Sequence, residues 1–376
     1  MKEKGTDGMK RSMFALLLTL ALVLALSLAV GAKTVYPIWI NGEKTELAGD
    51  TTAGVTTIGL RALAEALGFE VNFVDSSIQI TEPDQVKITT LTENNNGDNP
   101  DTSAEFGFSV LIETEKDKIL FDTGKAGQLL ANGKALGVDL SDCTKLVLSH
   151  SHYDHCGGLI PYFQEYGAEN KTLFLKNSFF NNADSKYYYD AVGQKFDFTD
   201  GTKGYFPVGI DFDEQDLLDL GVAIEYIDTT CMKVADGVTI YGNFDRDKNF
   251  ELAPNMLDRL ENGEYVVDDF DEEVAVAVET SKGLVIVSGC SHNGILNIVN
   301  TIEKRSGEKV YAVIGGFHLL DADEATIQAT IDRFQELGVQ RIGLSHCTGA
   351  KATQMFLEQM PEQTFVNSTG HVYVVD

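Results

Sequence analysis

The run Ser149-His150-Ser151-His152-Tyr153-Asp154-His155-Cys156-Gly157-Gly158 constrains this chain more than any other stretch. Only seven histidines occur in 376 residues, and three of them fall here as His-x-His-x-Asp-His. The run follows the apolar Lys145-Leu146-Val147-Leu148 and precedes a Gly-Gly pair. Imidazole and carboxylate at such spacing are the donors that a divalent transition metal takes. In an extended segment residues two apart face the same way, so His150 and His152 aim at one point and Asp154 continues that face. His155, beside the glycines, turns toward a second point. The run thus supplies half of each of two sites, and the other ligands must come from elsewhere.

Three later apolar, strand-like runs each end in a histidine: Gly283-Leu284-Val285-Ile286-Val287-Ser288 before His292, Val310-Tyr311-Ala312-Val313-Ile314 before His318, and Arg341-Ile342-Gly343-Leu344-Ser345 before His346. Any one of these reads as a lone hydrogen-bonded histidine near a loop. Three in succession, with glycine nearby, point to ligands at the C-terminal ends of strands, where α/β sheets place their sites. Two metal ions are the economical reading. His371 stays outside the metal set. Of the five cysteines, Cys156, Cys290 and Cys347 lie within two residues of a candidate ligand and read as small buried residues behind the ligands. Cys143 and Cys231 carry no signal.

The formal net charge of −28 argues against nucleic acid, because phosphate binding needs Lys and Arg to displace counterions. It argues equally against anionic lipid surfaces. A small-molecule substrate remains, and the acidity itself reads as a solubility device on an exported surface. Lys10-Arg11, the apolar segment Met13 to Val30 and the small residues up to Ala32 describe a secretory signal over residues 1–32, or an uncleaved anchor. The remainder is therefore expected to be secreted or associated with the cell envelope.

The chain is long enough for one large domain and something smaller. Residues 33–82 read as a small α+β module. Tyr36-Pro37-Ile38-Trp39-Ile40 is a strand, Asn41-Gly42 a hairpin turn, and Ile58, Leu60, Leu63, Ala64 and Leu67 recur at helical spacing before Gly68. Glu70–Val74 and Ile78–Ile80 follow as short strands. The second domain, residues 86–376, opens on Val86-Lys87-Ile88-Thr89-Thr90-Leu91 as a strand. Its Asn-rich loop, Glu93 to Pro100, is expected to border the active-site face, and strands alternate with helices from there on, as in a layered α/β domain.

Gly59-Leu60-Arg61-Ala62-Leu63-Ala64-Glu65-Ala66-Leu67-Gly68-Phe69-Glu70-Val71 resembles the small domain named after the N-terminal part of copper amine oxidases. That resemblance implies a stalk with a role in cell-envelope attachment. The module holds no His, Cys or Met, and so has no obvious copper ligands.

Phe121-Asp122-Thr123-Gly124, the His-x-His-x-Asp-His run and the later strand ends resemble the metallo-β-lactamase superfamily from about Val86 to the C-terminus. The strings Ser288-Gly289-Cys290-Ser291-His292-Asn293-Gly294-Ile295, Gly315-Gly316-Phe317-His318-Leu319 and His346-Cys347-Thr348-Gly349 resemble its subgroup named for 7,8-dihydropterin-6-methyl-4-(β-D-ribofuranosyl)aminobenzene 5′-phosphate synthase. The resemblance implies an αβ/βα four-layer sandwich. It implies that His150, His152 and His292 hold one metal and Asp154, His155 and His346 the other. Asp122 resembles the carboxylate that orients a ligand histidine, with a turn-forming Asp before Thr-Gly as the competing reading. Many members have an Asp bridging the two ions, and here His318 stands in that place. It is assigned with Asp154 to catalysis, as a ligand of one ion or a substrate contact, or else it leaves the second site weak.

The implied chemistry is metal-assisted hydrolysis of an ester, lactone, amide or phosphodiester. Two divalent ions, zinc with iron or manganese as alternatives, activate a water that Asp154 orients and stabilise the developing charge. Two other readings stand beside it. One is a mononuclear iron oxygenase acting on thiols or persulfides through His150, His152 and His292. The other is a surface binding protein without catalysis. Gly242–Arg246 and Asp268–Glu273 occupy places where the subgroup has a Gly-Glu-Ile-Pro-Arg-like string and an acidic string, and the first is altered here. Arg246 reads as a contact for an anionic substrate or as a surface ion pair. The aromatic stretch from Tyr187-Tyr188-Tyr189 to Tyr205-Phe206-Pro207 reads as a lid or as a packed loop.

Overall fold

A computed structural model of the chain describes residues 34–40, 43–52, 55–66, 70–74, 77–81, 85–97, 99–188, 205–247 and 257–375. The leader at 1–32, the Asn41-Gly42 turn, Gly68 and the middle of the aromatic stretch lie outside them. The chain divides into two compact units, Met1–Pro83 and Asp84–Asp376. In the first, strands Thr34–Ile40, Glu43–Thr52 and Val55–Thr57 form an antiparallel sheet, Leu60–Ala66 is a helix, and Glu70–Val74 pairs with Ser77–Thr81.

Two seven-stranded sheets build the second unit. One runs in the order Ala223–Ile227, Thr172–Lys176, Lys145–Val147, Lys118–Phe121, Ser109–Glu113, Val86–Thr92, Val372–Val375. The other runs Cys231–Ala235, Val238–Gly242, Val274–Thr280, Gly283–Ser288, Val310–Gly316, Arg341–Ser345, Thr364–Val366. Successive side chains of a strand point to opposite faces, and that period of two sorts the apolar residues into layers. Val285 and Val287 enter the core between the sheets with Val110, Ile112, Ile119 and Phe121 of the opposite sheet. Leu284 and Ile286, one residue out of phase, face a second core with helices Ile295–Ser306, Glu324–Leu337 and Ala350–Gln359. On the far side Leu111, Leu120, Leu146 and Leu173 pack on helices Gln128–Leu136 and Leu159–Tyr166. The layers are therefore helix, sheet, sheet, helix.

The topology brings the expected residues to one end. Gly283–Ser288, Val310–Gly316 and Arg341–Ser345 are adjacent and parallel, with Ser288 paired to Gly315 and Gly316 to Ser345. Their C-terminal loops, which carry His292, His318 and His346, consequently emerge side by side. Lys145–Val147, parallel to both its neighbours, delivers the His150 run from the opposite sheet. The aromatic stretch contributes strands Lys186–Tyr188 and Tyr205–Pro207 to a separate four-stranded sheet with Leu257–Glu261 and Glu264–Val267.

Candidate metal centre

The strand ends at Val147, and His152 keeps an extended backbone at φ −93°, ψ 145°. The rings of His150 and His152 lie 4.5 Å apart, as same-face neighbours should. Beyond them the expectation of a continued extended face for Asp154 is corrected. Tyr153–Cys156 is a short helix with His152 as its N-cap, and the helical turn swings Asp154 and His155 to a second point. Glycine is needed next. A Cβ on Gly158 would run into the Thr123 carbonyl oxygen, in the segment where Thr123 N–H donates to the His155 carbonyl at 2.6 Å.

Two donor sets result. The ligating atoms of His150, His152 and His292 lie within 4.8 Å of one another, and so do those of Asp154, His155 and His346. In the first set His150 Nε2 and His292 Nε2 are 3.2 Å apart, and His152 Nε2 is buried with no hydrogen-bond partner. Two nitrogens each about 2.05 Å from one tetrahedral ion stand about 3.3 Å apart, so this spacing fits a shared zinc-like ion. In the second set His346 Nε2 approaches Asp154 Oδ2 at 3.0 Å.

Asp122, fully buried at the end of Lys118–Phe121, fixes the tautomers in both sets. Its Oδ1 accepts from Ser149 N–H at 2.7 Å, while Oδ2 accepts from Ser149 Oγ–H at 2.7 Å and from His155 Nδ1–H at 2.6 Å. With its hydroxyl proton committed, Ser149 Oγ accepts from His150 Nδ1–H at 2.8 Å. One carboxylate thus leaves the Nε2 lone pairs of His150 and His155 bare and aimed inward. Asp122 thus makes the hydrogen bonds expected of a carboxylate behind a candidate ligand histidine, and with φ 56° it also takes the backbone of a turn.

The electrostatics favour ligands ready to bind. Burial, reinforced by neighbouring imidazoles, holds His150 and His292 neutral far below the usual histidine range. Burial drives His152 down to about 3 against the pull of Asp154. Neutral imidazole is the form that coordinates. Burial is the largest single influence on His346 and would lower it, but the hydrogen bond to Asp154 and the charges of Cys347, Asp154 and Glu93 together carry it up to about 9, so without a cation Asp154 and His346 pair as opposite charges. The Asn-rich loop does border this face: His346 Nδ1 meets Asn94 Oδ1 at 3.0 Å, and His346 N–H donates to the buried Glu93 carboxylate.

His318 joins neither donor set. Its ring lies against His292, centroids 4.5 Å apart, at a backbone φ of 48°. Asp122, Phe270, Ser291 and His346 also have positive φ, which places much of the chain's strained non-glycine backbone around this centre. Arg246 Nε donates to Asn293 Oδ1 at 2.9 Å, beside His292, and among the described residues Arg246 has no ion pair. His371 stacks on Phe365, centroids 4.8 Å apart, away from the centre.

Sequence reasoning missed three residues. Phe270 stacks flat on His292 at 4.0 Å and meets His152 edge-on at 5.6 Å. Buried Glu273 accepts from His292 N–H and Asn293 N–H, each at 2.7 Å, and so holds the loop that presents His292. Both belong to the acidic string noted above, whose buried members Asp268, Phe270, Glu272 and Glu273 lie under the site while Asp269 and Asp271 face solvent. Cys290, placed behind the ligands by its smallness, instead brings Sγ to 3.1 Å from His155 Nε2. Its position two residues before His292 was the available signal. All five cysteines are free.

Comparison with known proteins agrees with this architecture. Residues 102–227 match the family described as the metallo-beta-lactamase superfamily. The 7,8-dihydropterin-6-methyl-4-(beta-D-ribofuranosyl)-aminobenzene-5'-phosphate synthase of Methanocaldococcus jannaschii is 37% identical over 297 residues, spanning 76% of this chain and 95% of the archaeal protein. An uncharacterized protein of the same archaeon is 29% identical over 249 residues, 66% of this chain and 86% of its own length. The crystal structure of a metal-dependent hydrolase of the beta-lactamase superfamily superposes with a TM-score of 0.64 at 28% identity, covering 77% of this chain and 99% of that one. With its four layers and its donor sets at the strand ends, the chain belongs to the metallo-beta-lactamase superfamily.

Proposed function

We propose that this enzyme is a metal-dependent hydrolase of a small molecule, with His150, His152 and His292 holding one divalent ion and Asp154, His155 and His346 a second. The observation that carries it is the convergence of bare, buried imidazole nitrogens, above all the unpartnered His152 Nε2 beside the 3.2 Å His150–His292 contact. Divalent ions held there would supply an activated water at neutral pH and polarise an ester, lactone, amide or phosphodiester; zinc suits the nitrogen-rich donors. The protein's own residues do the rest. Asp122 and Ser149 hold the rings in register, Glu273 holds the His292 loop, Phe270 stacks on His292, Phe106 lies against His346 with centroids 4.9 Å apart, and Asp154 is the carboxylate set to orient a water. Metal analysis with a hydrolase substrate panel tests this. About two ions per chain and activity abolished by chelator are expected; under one ion, with activity indifferent to chelation, overturns it.

A second reading has its own support. The archaeal relative is named as a synthase of a phosphorylated pterin compound, and Arg246, anchored through Nε at Asn293, has no other partner among the described residues. A group-transfer reaction on a phosphorylated substrate fits both. Turnover that requires two co-substrates, with Arg246→Gln raising KM for the phosphorylated one, distinguishes it from hydrolysis. The reading also keeps residues 1–32 as an export signal or anchor and 33–82 as an envelope-attached stalk. Fractionation of the native host tests both.

A further inference from the structure

Among the described residues the two donor sets share no carboxylate, and the His318 ring lies against His292. Cys290 is the residue whose ligating atom reaches both sides. Its Sγ lies within 4.8 Å of the ligating atoms of His150 and His155, and, in a further group, of His346 and Cys347. His150 belongs to the first donor set, His155 and His346 to the second. We propose that Cys290, as a thiolate, is the ligand shared by the two ions, filling the bridging place that His318 leaves empty.

The chemistry suits the place. A thiolate sulfur carries several lone pairs on one atom and can bind two cations at once, whereas an imidazole offers one lone pair per ring nitrogen, on separate edges. The 3.1 Å between Cys290 Sγ and His155 Nε2 is short for an S–H···N contact. A sulfur at about 2.3 Å and a nitrogen at about 2.05 Å from one ion stand about 3.1 Å apart at a right angle and about 3.6 Å apart in a tetrahedron. His155 Nδ1 is committed to Asp122, so its Nε2 meets the sulfur with a bare lone pair. The approach of the two sulfur-bearing loops depends on Gly316, where a Cβ would stand 2.6 Å from Cys347 Sγ and from the Gly289 carbonyl oxygen. Cys347 meets only the second set, and its Sγ leans toward the Cys290 carbonyl at 3.4 Å. A sulfur bridge would also tune the centre toward zinc, cobalt or cadmium and away from magnesium or manganese.

This inference rests on the two-ion reading above, and the test separates them. The full chain loaded with zinc is measured by X-ray absorption at the zinc edge, and the cobalt-loaded chain by its near-ultraviolet thiolate charge-transfer band. A shared thiolate gives an average of one sulfur per zinc; a thiolate on one ion gives half. Cys290→Ser is expected to abolish the cobalt band and to weaken both steps of metal binding about tenfold or more, while Cys347→Ser keeps the band. Two bound ions with no sulfur, with half a sulfur per zinc, or with a band that survives Cys290→Ser overturn the bridge and leave the metal reading intact. A chain that binds no metal overturns both. The zinc-edge measurement uses the unmutated protein and stands even if Cys290→Ser fails to fold.

Discussion

Replacing Asp122 by asparagine should disable both donor sets at once without unfolding the protein. The place now held by Oδ1 faces the Ser149 backbone N–H, a donor that cannot reverse, so the asparagine oxygen must sit there. The amide nitrogen then takes the Oδ2 place, where it points two hydrogens at Ser149 Oγ and His155 Nδ1. His155 answers by accepting at Nδ1 and moving its proton to Nε2, the ligating atom. Ser149 answers by accepting from the amide and donating to His150 Nδ1, which puts the proton of His150 on its Nε2 as well. The rearranged network is satisfied, and asparagine tolerates the left-handed backbone at φ 56° as aspartate does. The metal-free variant should therefore melt close to wild type. Restoring the ligating tautomers sets donor against donor, at a cost of about 1–3 kcal/mol for each buried mismatch. That corresponds to a loss of about 10–100-fold in affinity at each set, the usual scale for removing a carboxylate behind a ligand histidine. Competition against a coloured chelator, with circular dichroism to verify the fold, reads both steps. Wild-type affinity at both sets refutes the tautomer reasoning. Loss confined to one set refutes the relay through Ser149.

Other outcomes follow from the same geometry. Removing bound ions should lower the thermal midpoint, since a ligand at a hundred times its Kd stabilises by about 2.7 kcal/mol, and adding zinc back should restore it; a midpoint unmoved by chelation counts against a loaded centre. Phe334→Ala empties a fully buried ring position between Phe317 and Phe356, at centroid distances of 5.6 and 5.9 Å. It should cost about 3–5 kcal/mol in urea unfolding, with metal affinity of the folded fraction unchanged. Gly158→Ala forces its Cβ against the Thr123 carbonyl and so displaces the backbone that holds His155. Metal titration should show weakening at the second donor set before the first; wild-type binding there would show that the contact relaxes freely.

Much of this fold was legible before any coordinates. The unbroken apolar runs Leu146-Val147-Leu148, Leu284-Val285-Ile286-Val287 and Val310-Tyr311-Ala312-Val313-Ile314 report strands buried on both faces, and the alternation in Val86–Leu91 reports a further strand. The candidate ligand histidines were legible for a related reason, since a His at the end of a β-run with glycine near it projects from the rim of a sheet. Glu273 and Phe270 were harder. An acidic string normally means a solvated surface, and only the return of that loop beneath His292 turns Glu273 into a buried acceptor for two backbone N–H groups. The small helix at Tyr153–Cys156 was hidden by its length, being too short to show a period.

By itself, then, the sequence determined the inventory: imidazole nitrogens, a candidate ligand carboxylate, glycines where backbones must touch, and strands with two apolar faces; burial in the fold is what makes the imidazoles neutral. Which donors meet was decided by tertiary structure. His150 and His292 are 142 positions apart and touch at 3.2 Å because of strand order and parallel register, properties of hydrogen bonding between distant segments. The same packing set the His318 ring against His292 and brought Cys290 Sγ to His155 Nε2. A side chain two residues from a ligand can face it or face away, and only the loop's path across the sheet edge chooses between them.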